Sequence, residues 1–213
     1  MLYDKEIREP LFDFIEEKFG KTRIFEEKRM GESRADVFVI TEHNFIGIEI
    51  KSDADTYVRL ESQVKDYDLY YDYNYIVAGG RHGAHVSKHV PSYWGIITVE
   101  EIDGKADFYI LREACLNPNV SVKNKLSILW RPELSHIQEL NQMHKYKDKS
   151  KAFVIEKICA KVENTILSKQ ICDELFERDY STIADKIADY RKNNNLRKRK
   201  AKRVSKRYKI TKI

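Results

Sequence analysis

Arg34-Ala35-Asp36-Val37-Phe38-Val39-Ile40, Thr41-Glu42-His43-Asn44, Phe45-Ile46-Gly47-Ile48-Glu49-Ile50-Lys51 is the stretch from which the fold can be read. Two apolar runs rich in β-branched and aromatic residues flank a polar tetrapeptide, which predicts a β-hairpin with buried strands. Side chains alternate between faces along a strand. Ile46, Ile48 and Ile50 therefore share one face, and Glu49 and Lys51 share the other. Two charges projecting together from the end of a buried strand are costly unless they are paired or bind a metal. A hairpin closing at Thr41–Asn44 can bring Asp36 beside Glu49. An Asp, a Glu and a Lys at one spot can make a divalent-metal site with an amine beside it.

Upstream, Ile7, Leu11, Phe14, Ile15 and Phe19 follow helical spacing and Gly20 is a stop signal, predicting a helix over residues 4–19. Pro10 must lie near the first turn or bend the helix, so the start falls anywhere from Asp4 to Glu9. A strand is expected at 22–26. Downstream, Tyr57, Leu60, Val64, Tyr67 and Tyr71 mark a helix over 57–73, with Arg59, Gln63, Asp66 and Tyr70 on neighbouring positions. A strand at 75–78 ends in Gly79-Gly80, and a short helix over 84–90 leads to Pro91. Strands at 94–99 and 107–111 pair across the Asp103-Gly104 turn. That order predicts a mixed sheet with helices on both faces.

Strand signals stop after about residue 122. Residues 124–142 read as helical, with Pro132 marking a new start. A Lys-rich joint at 145–151 precedes a helix over 152–166. Ser168 and Ser181 can cap two further short helices, the second carrying Ile183, Ile187 and Tyr190. The expected division is an α/β core over 1–121, a helical extension over 122–190 and a basic tail over 191–213.

The net charge of +5 conceals an asymmetry. Residues 191–213 hold twelve Lys or Arg and no acidic residue, so the first 190 residues carry the other 27 basic groups against all 34 acidic ones, a net of −7. The run Arg197-Lys198-Arg199-Lys200-Ala201-Lys202-Arg203 attracts phosphates without reading sequence, and such attraction weakens steeply with salt. Its bland alternative is a solubilising tail. Cys115, Cys159 and Cys172 are far apart with no CxxC spacing, which suits reduced core residues. Met1–Glu6 has no signal-peptide pattern, and no apolar run approaches membrane-spanning length. A soluble, cytoplasmic protein is expected. His82, His85 and His89 are read as surface or capping residues rather than zinc ligands, and Trp94 and Trp130 as core.

Asp36 at the start of one strand, Glu49 and Lys51 at the end of the next, and a helix at once after them resemble the motif of the PD-(D/E)XK nuclease superfamily, with its restriction-endonuclease-like fold. Ala35 stands where the founding pattern has Pro, a common variation. Gln63 and Tyr67 are spaced like the Gln-x-x-x-Tyr of some branches. A closer resemblance is to a bacterial and phage family of this fold, carried by Arg34–Asp36, Glu49–Thr56, Val90–Gly95 and Leu129–Leu134. The resemblance implies an αβββαβ core and hydrolysis of DNA phosphodiesters leaving a 5′-phosphate.

Carboxylates are hard ligands suited to Mg²⁺ or Mn²⁺, with waters completing the shell. Asp36, Glu49 and the main-chain carbonyl of Ile50 are the expected ligands, and Lys51 the group that orients or deprotonates the attacking water or stabilises charge on the phosphate. Glu6 is the expected helix carboxylate, with Glu9 the competitor. Gln63 is assigned to a metal-bound water or a phosphate, and Arg59, one turn earlier, to the nucleic-acid backbone. DNA is the expected partner, and a homodimer is left open. The alternatives are a structural cross-strand ion pair at Asp36, Glu49 and Lys51, and a nuclease-like fold kept for DNA binding without catalysis.

Overall fold

Ile7, Leu11 and Ile15 recur along one stripe of helix α1 (Asp4–Phe19), and all three are fully buried. In this computed structural model, which describes residues 4–52, 55–83 and 85–178, that stripe lies on one face of a six-stranded sheet. Pro10 sits inside α1 rather than in its first turn. Its ring removes one backbone donor, and the apolar stripe on both sides holds the helix together.

The strands are β1 (Arg23–Met30), β2 (Ser33–Ile40), β3 (Phe45–Lys51), β4 (Tyr73–Gly79), β5 (Gly95–Ile102) and β6 (Lys105–Arg112), in spatial order β1-β2-β3-β4-β5-β6. β3 pairs in parallel with β4, and β4 with β5; the other pairs are antiparallel. Helix α2 (Leu60–Tyr70) carries the crossover from β3 to β4. The first six of these elements run in the expected αβββαβ order. The strand expected at 22–26 extends to Met30, because its second half continues the ladder with β2 as far as Met30↔Ser33. α2 begins at Leu60, three residues later than expected. In place of one helix over 84–90 are a four-residue helix α3 (Gly80–Gly83) and a 3₁₀ turn (Val86–Lys88).

Alternation along β3 divides the core. Ile46, Ile48 and Ile50 join Val37, Val39 and α1 on one face. Phe38, Ile40 and Phe45 join α2 and the C-terminal helices on the other. Those helices are α4 (Val122–Ser127), α5 (Arg131–Leu140), α6 (Lys151–Lys161) and α7 (Asn164–Glu177). The stretch 124–142 is thus two helices, with Pro132 in the first turn of the second. The expected helix 152–166 stops at Lys161, and Ser168 lies within α7 instead of capping a helix. The stripe Leu167, Ile171, Cys172 and Leu175 carries α7 straight through Ser168. Ser181, Ile183, Ile187, Tyr190 and the basic run from Arg197 to Arg203 lie outside the described residues. No helix among the described residues is long and apolar enough to cross a membrane.

The C-terminal helices are tied to the sheet by charge as well as packing. Lys125 Nζ, on α4, donates to both oxygens of Asp72 at 2.7 and 3.0 Å, and Asp72 also accepts the Phe45 N–H at 2.6 Å. Trp94 is fully buried and donates from its indole to Asp68.

Gly47 lets α2 lie close against β3. A Cβ there would stand 2.4 Å from Tyr71 Cδ2 and 2.7 Å from Tyr67 Cδ1. Overpacking of this kind costs about 1–3 kcal/mol. Gly47→Ala is therefore expected to lower the unfolding free energy measured in urea by an amount in that range, and an unchanged value would mean that α2 does not press on β3 at this point.

Candidate functional site

The β2–β3 ladder stops at Val37↔Ile48. Beyond that rung β2 stays paired with β1 to Met30↔Ser33, and β3 stays paired with β4 to Lys51↔Ala78. Side chains take over the hydrogen bonding where the ladder ends. The Ile50 amide donates to Asp36 Oδ2 at 2.9 Å, and the Asp36 amide donates to the Tyr67 hydroxyl at 3.3 Å. A cleft of about 590 Å³ opens here, walled by Ser33, Arg34 and Asp36 on one side and Glu49, Ile50 and Lys51 on the other.

Glu49 is 1% exposed, so its charge must be satisfied from within. Oε1 accepts from Lys51 Nζ at 2.5 Å and from Gln63 Nε2 at 2.6 Å. Oε2 accepts from the Tyr67 hydroxyl at 2.7 Å. Lys51 Nζ also donates to Gln63 Oε1 at 3.2 Å, closing a ring of Glu49, Lys51 and Gln63. A carboxylate offers about four lone-pair positions, so Glu49 keeps one open on Oε2. Asp36 keeps more, since beyond the Ile50 bond its carboxylate has only a long contact with Arg8 at 3.4 Å.

The sheet thus brings Asp36, Glu49, Ile50 and Lys51 together with Gln63 and Arg59 from the α2 end. Ile50 contributes its amide to Asp36. Arg59 is exposed on the cleft wall as the residue preceding α2. Glu6 does not join them. It is exposed, like Glu9, and neither lines the cleft. Asp4 does, together with Arg8 one turn later. Glu6 is roughly 200° around the helix from Asp4 at 100° per residue, so both cannot face the cleft. Arg8 reaches across from α1. Its Nε donates to Asp4 Oδ2 at 2.7 Å, and Nη1 donates to the Asp36 main-chain oxygen at 3.1 Å. The sequence signal for this pair is the i, i+4 spacing of an acid and a base on the side of α1 next to its buried stripe. His85 and His89 are exposed, and the His89 ring stacks on Tyr57 at 4.1 Å.

Burial, and then the charge of Glu49, push the Asp36 carboxyl up to about 7. The folded chain therefore holds this proton more tightly than the unfolded chain, whose carboxylate titrates near 4. The stability from this group is present in full below about pH 4 and is lost as pH rises through about 7, a change of about 2–4 kcal/mol. Asp36→Asn carries no titrating group there. In cation-free buffer, urea unfolding of the wild type should lose stability against Asp36→Asn by that amount between pH 5 and 8.5, and parallel pH profiles would contradict the assignment.

The described residues include no cluster of three or more His, Cys, Asp or Glu arranged to hold a metal ion by themselves. Two carboxylates are what the cleft centre offers. No curated protein sequence matches the chain significantly. Among solved structures, SfsA of Pyrococcus furiosus in complex with Ca²⁺ is similar with a TM-score of 0.34 and 18% identity over 55% of this chain, which spans 65% of that protein. The model of the family described as bacteriophage P4 protein cII matches residues 2–205, nearly the whole length. The chain belongs to the bacteriophage P4 protein cII family.

Proposed function

We propose that this chain hydrolyses phosphodiester bonds in DNA on the PD-(D/E)XK plan, with Mg²⁺ or Mn²⁺ held between Asp36 and Glu49. One observation carries the reading. Two carboxylates with open lone pairs, a buried ammonium and an amide converge on one cleft from two strands and a helix. A purely structural ion pair would need only Glu49 and Lys51, two residues apart on β3. It gives no reason for a second, nearly dry carboxylate at Asp36, whose ionisation Glu49 opposes.

The donor set fits the cation. Mg²⁺ keeps several waters and takes one or two carboxylates, and Asp36 and Glu49 supply two. The bound ion supplies Lewis acidity toward a phosphoryl oxygen and the attacking water. Lys51, fixed by Glu49 and Gln63, faces the charge that builds on the phosphate. Tyr67 and Gln63 hold the Glu49 carboxylate in one rotamer. The water oxygen bonds to phosphorus as the bond to the 3′ oxygen breaks, leaving a 5′-phosphate and a 3′-hydroxyl.

Charge separates this reading from cation-independent DNA binding. Six acidic residues line the cleft (Asp4, Glu27, Glu32, Asp36, Glu49, Asp55) against four basic ones (Arg8, Arg34, Lys51, Arg59). Without a cation that surface repels a phosphate. The basic residues 197–203 supply the general attraction to the backbone that the acidic body lacks.

Incubation with linear, nicked, single-stranded and branched DNAs tests the proposal. Cleavage of at least one of them is expected with Mg²⁺ or Mn²⁺, abolished by EDTA, and reduced about 100-fold or more by Lys51→Ala or Asp36→Ala. DNA binding that persists in EDTA, without cleavage under any condition, would favour the non-catalytic alternative.

A further inference from the structure

Arg8 is not accounted for by the reaction as described. Its side chain is only 13% exposed, yet it lines the cleft rather than the core. Asp4 holds it firmly at 2.7 Å, and the Asp36 main-chain oxygen holds Nη1 at 3.1 Å, with Glu26 Oε2 at 3.9 Å. The contact of Nη2 with Asp36 Oδ1 is the longest of its hydrogen bonds, at 3.4 Å. A guanidinium thus stands beside the Asp36 oxygen that the Ile50 amide leaves free, attached to it by its loosest bond.

We propose that Arg8 is the resident counter-ion of Asp36 and passes to the substrate phosphate when a divalent cation takes the carboxylate. The inference rests on the metal-dependent reading above. With all five ionised, Asp4, Asp36 and Glu49 against Arg8 and Lys51 leave one net negative charge around Arg8. A dication turns this to one net positive charge, which suits a phosphodiester. Nη2 then loses its partner. The Asp4 and main-chain bonds keep the guanidinium at the cleft, where its freed N–H can meet a phosphate oxygen. Metal and phosphate binding are therefore coupled through one side chain, and such coupling is reciprocal.

Mn²⁺ affinity, measured by calorimetry on the full chain with and without thymidine 5′-monophosphate, tests this. Wild type should bind Mn²⁺ about 5-fold or more tightly when the nucleotide is present. Arg8→Gln should bind Mn²⁺ alone about 3- to 10-fold more tightly than wild type, because a competing charge is gone, and the nucleotide should then add almost nothing. Asp4→Asn, on the partly exposed first turn of α1, should weaken Mn²⁺ alone by leaving Arg8 to Asp36. Arg8→Gln with unchanged or weaker Mn²⁺ affinity, or with undiminished coupling to the nucleotide, overturns the proposal while leaving the metal site intact. An Asp4→Asn affinity equal to that of wild type overturns it too. Wild type that binds no Mn²⁺ at all removes the underlying reading instead.

Discussion

Two acidic side chains meet where a hydrogen-bonded ladder runs out. Asp36 and Glu49 lie one rung past Val37↔Ile48, each largely removed from water, and each raises the cost of the other's charge. Burying like charges together is costly enough that something must compensate for it. Lys51, Gln63 and Tyr67 do so for Glu49, and the Ile50 amide and Arg8 do so in part for Asp36. The compensation at Asp36 is incomplete, as its raised affinity for a proton attests. A proton at low pH and a dication at higher pH are the two ways to complete it.

The surrounding fold keeps those side chains in register. α1 covers one face of the sheet and delivers Asp4 and Arg8, while α2 covers the other and delivers Gln63 and Tyr67. Gly47 sets how near α2 can come, and so where the Tyr67 hydroxyl lies relative to both acids. The buried pair of Asp72 and Lys125 fastens the C-terminal helices beneath this arrangement, with the Lys125 ammonium also over the Phe45 ring at 4.5 Å. Such a pair adds less to net stability than to the choice of one packing, since desolvation offsets much of its attraction. At the far end of these helices, Arg178 pairs with Glu133 and stacks on Trp130 at 4.0 Å.

The sheet's central hairpin was legible because two apolar runs flank the polar Thr41–Asn44, and the alternation of side chains along β3 then sorts its residues by face. Ile46, Ile48 and Ile50 read as one face, and the structure puts them on α1. The same alternation assigned Glu49 and Lys51 to the opposite side, where they meet Gln63. Helix ends were harder to read. Ser168 looks like a cap in isolation, but the apolar stripe from Leu167 to Leu175 outweighs a local hydroxyl, and the true break falls at Val162–Glu163. Asp4 was hidden by Pro10, which left the start of α1 open anywhere from Asp4 to Glu9 and left Glu6 and Glu9 as the candidate helix carboxylates. Arg8 was hidden for a different reason: its role depends on reaching Asp36, 28 residues away, and no local pattern encodes that contact.

The central claim is that Asp36 and Glu49 share one divalent cation. Anomalous scattering from a crystal of the wild-type chain grown with Mn²⁺ addresses it most directly. The account predicts one strong peak at about 2.1–2.3 Å from an oxygen of each carboxylate, absent from a matched Asp36→Ala crystal. A peak that touches neither residue, or that touches only one of the two carboxylates, would contradict it.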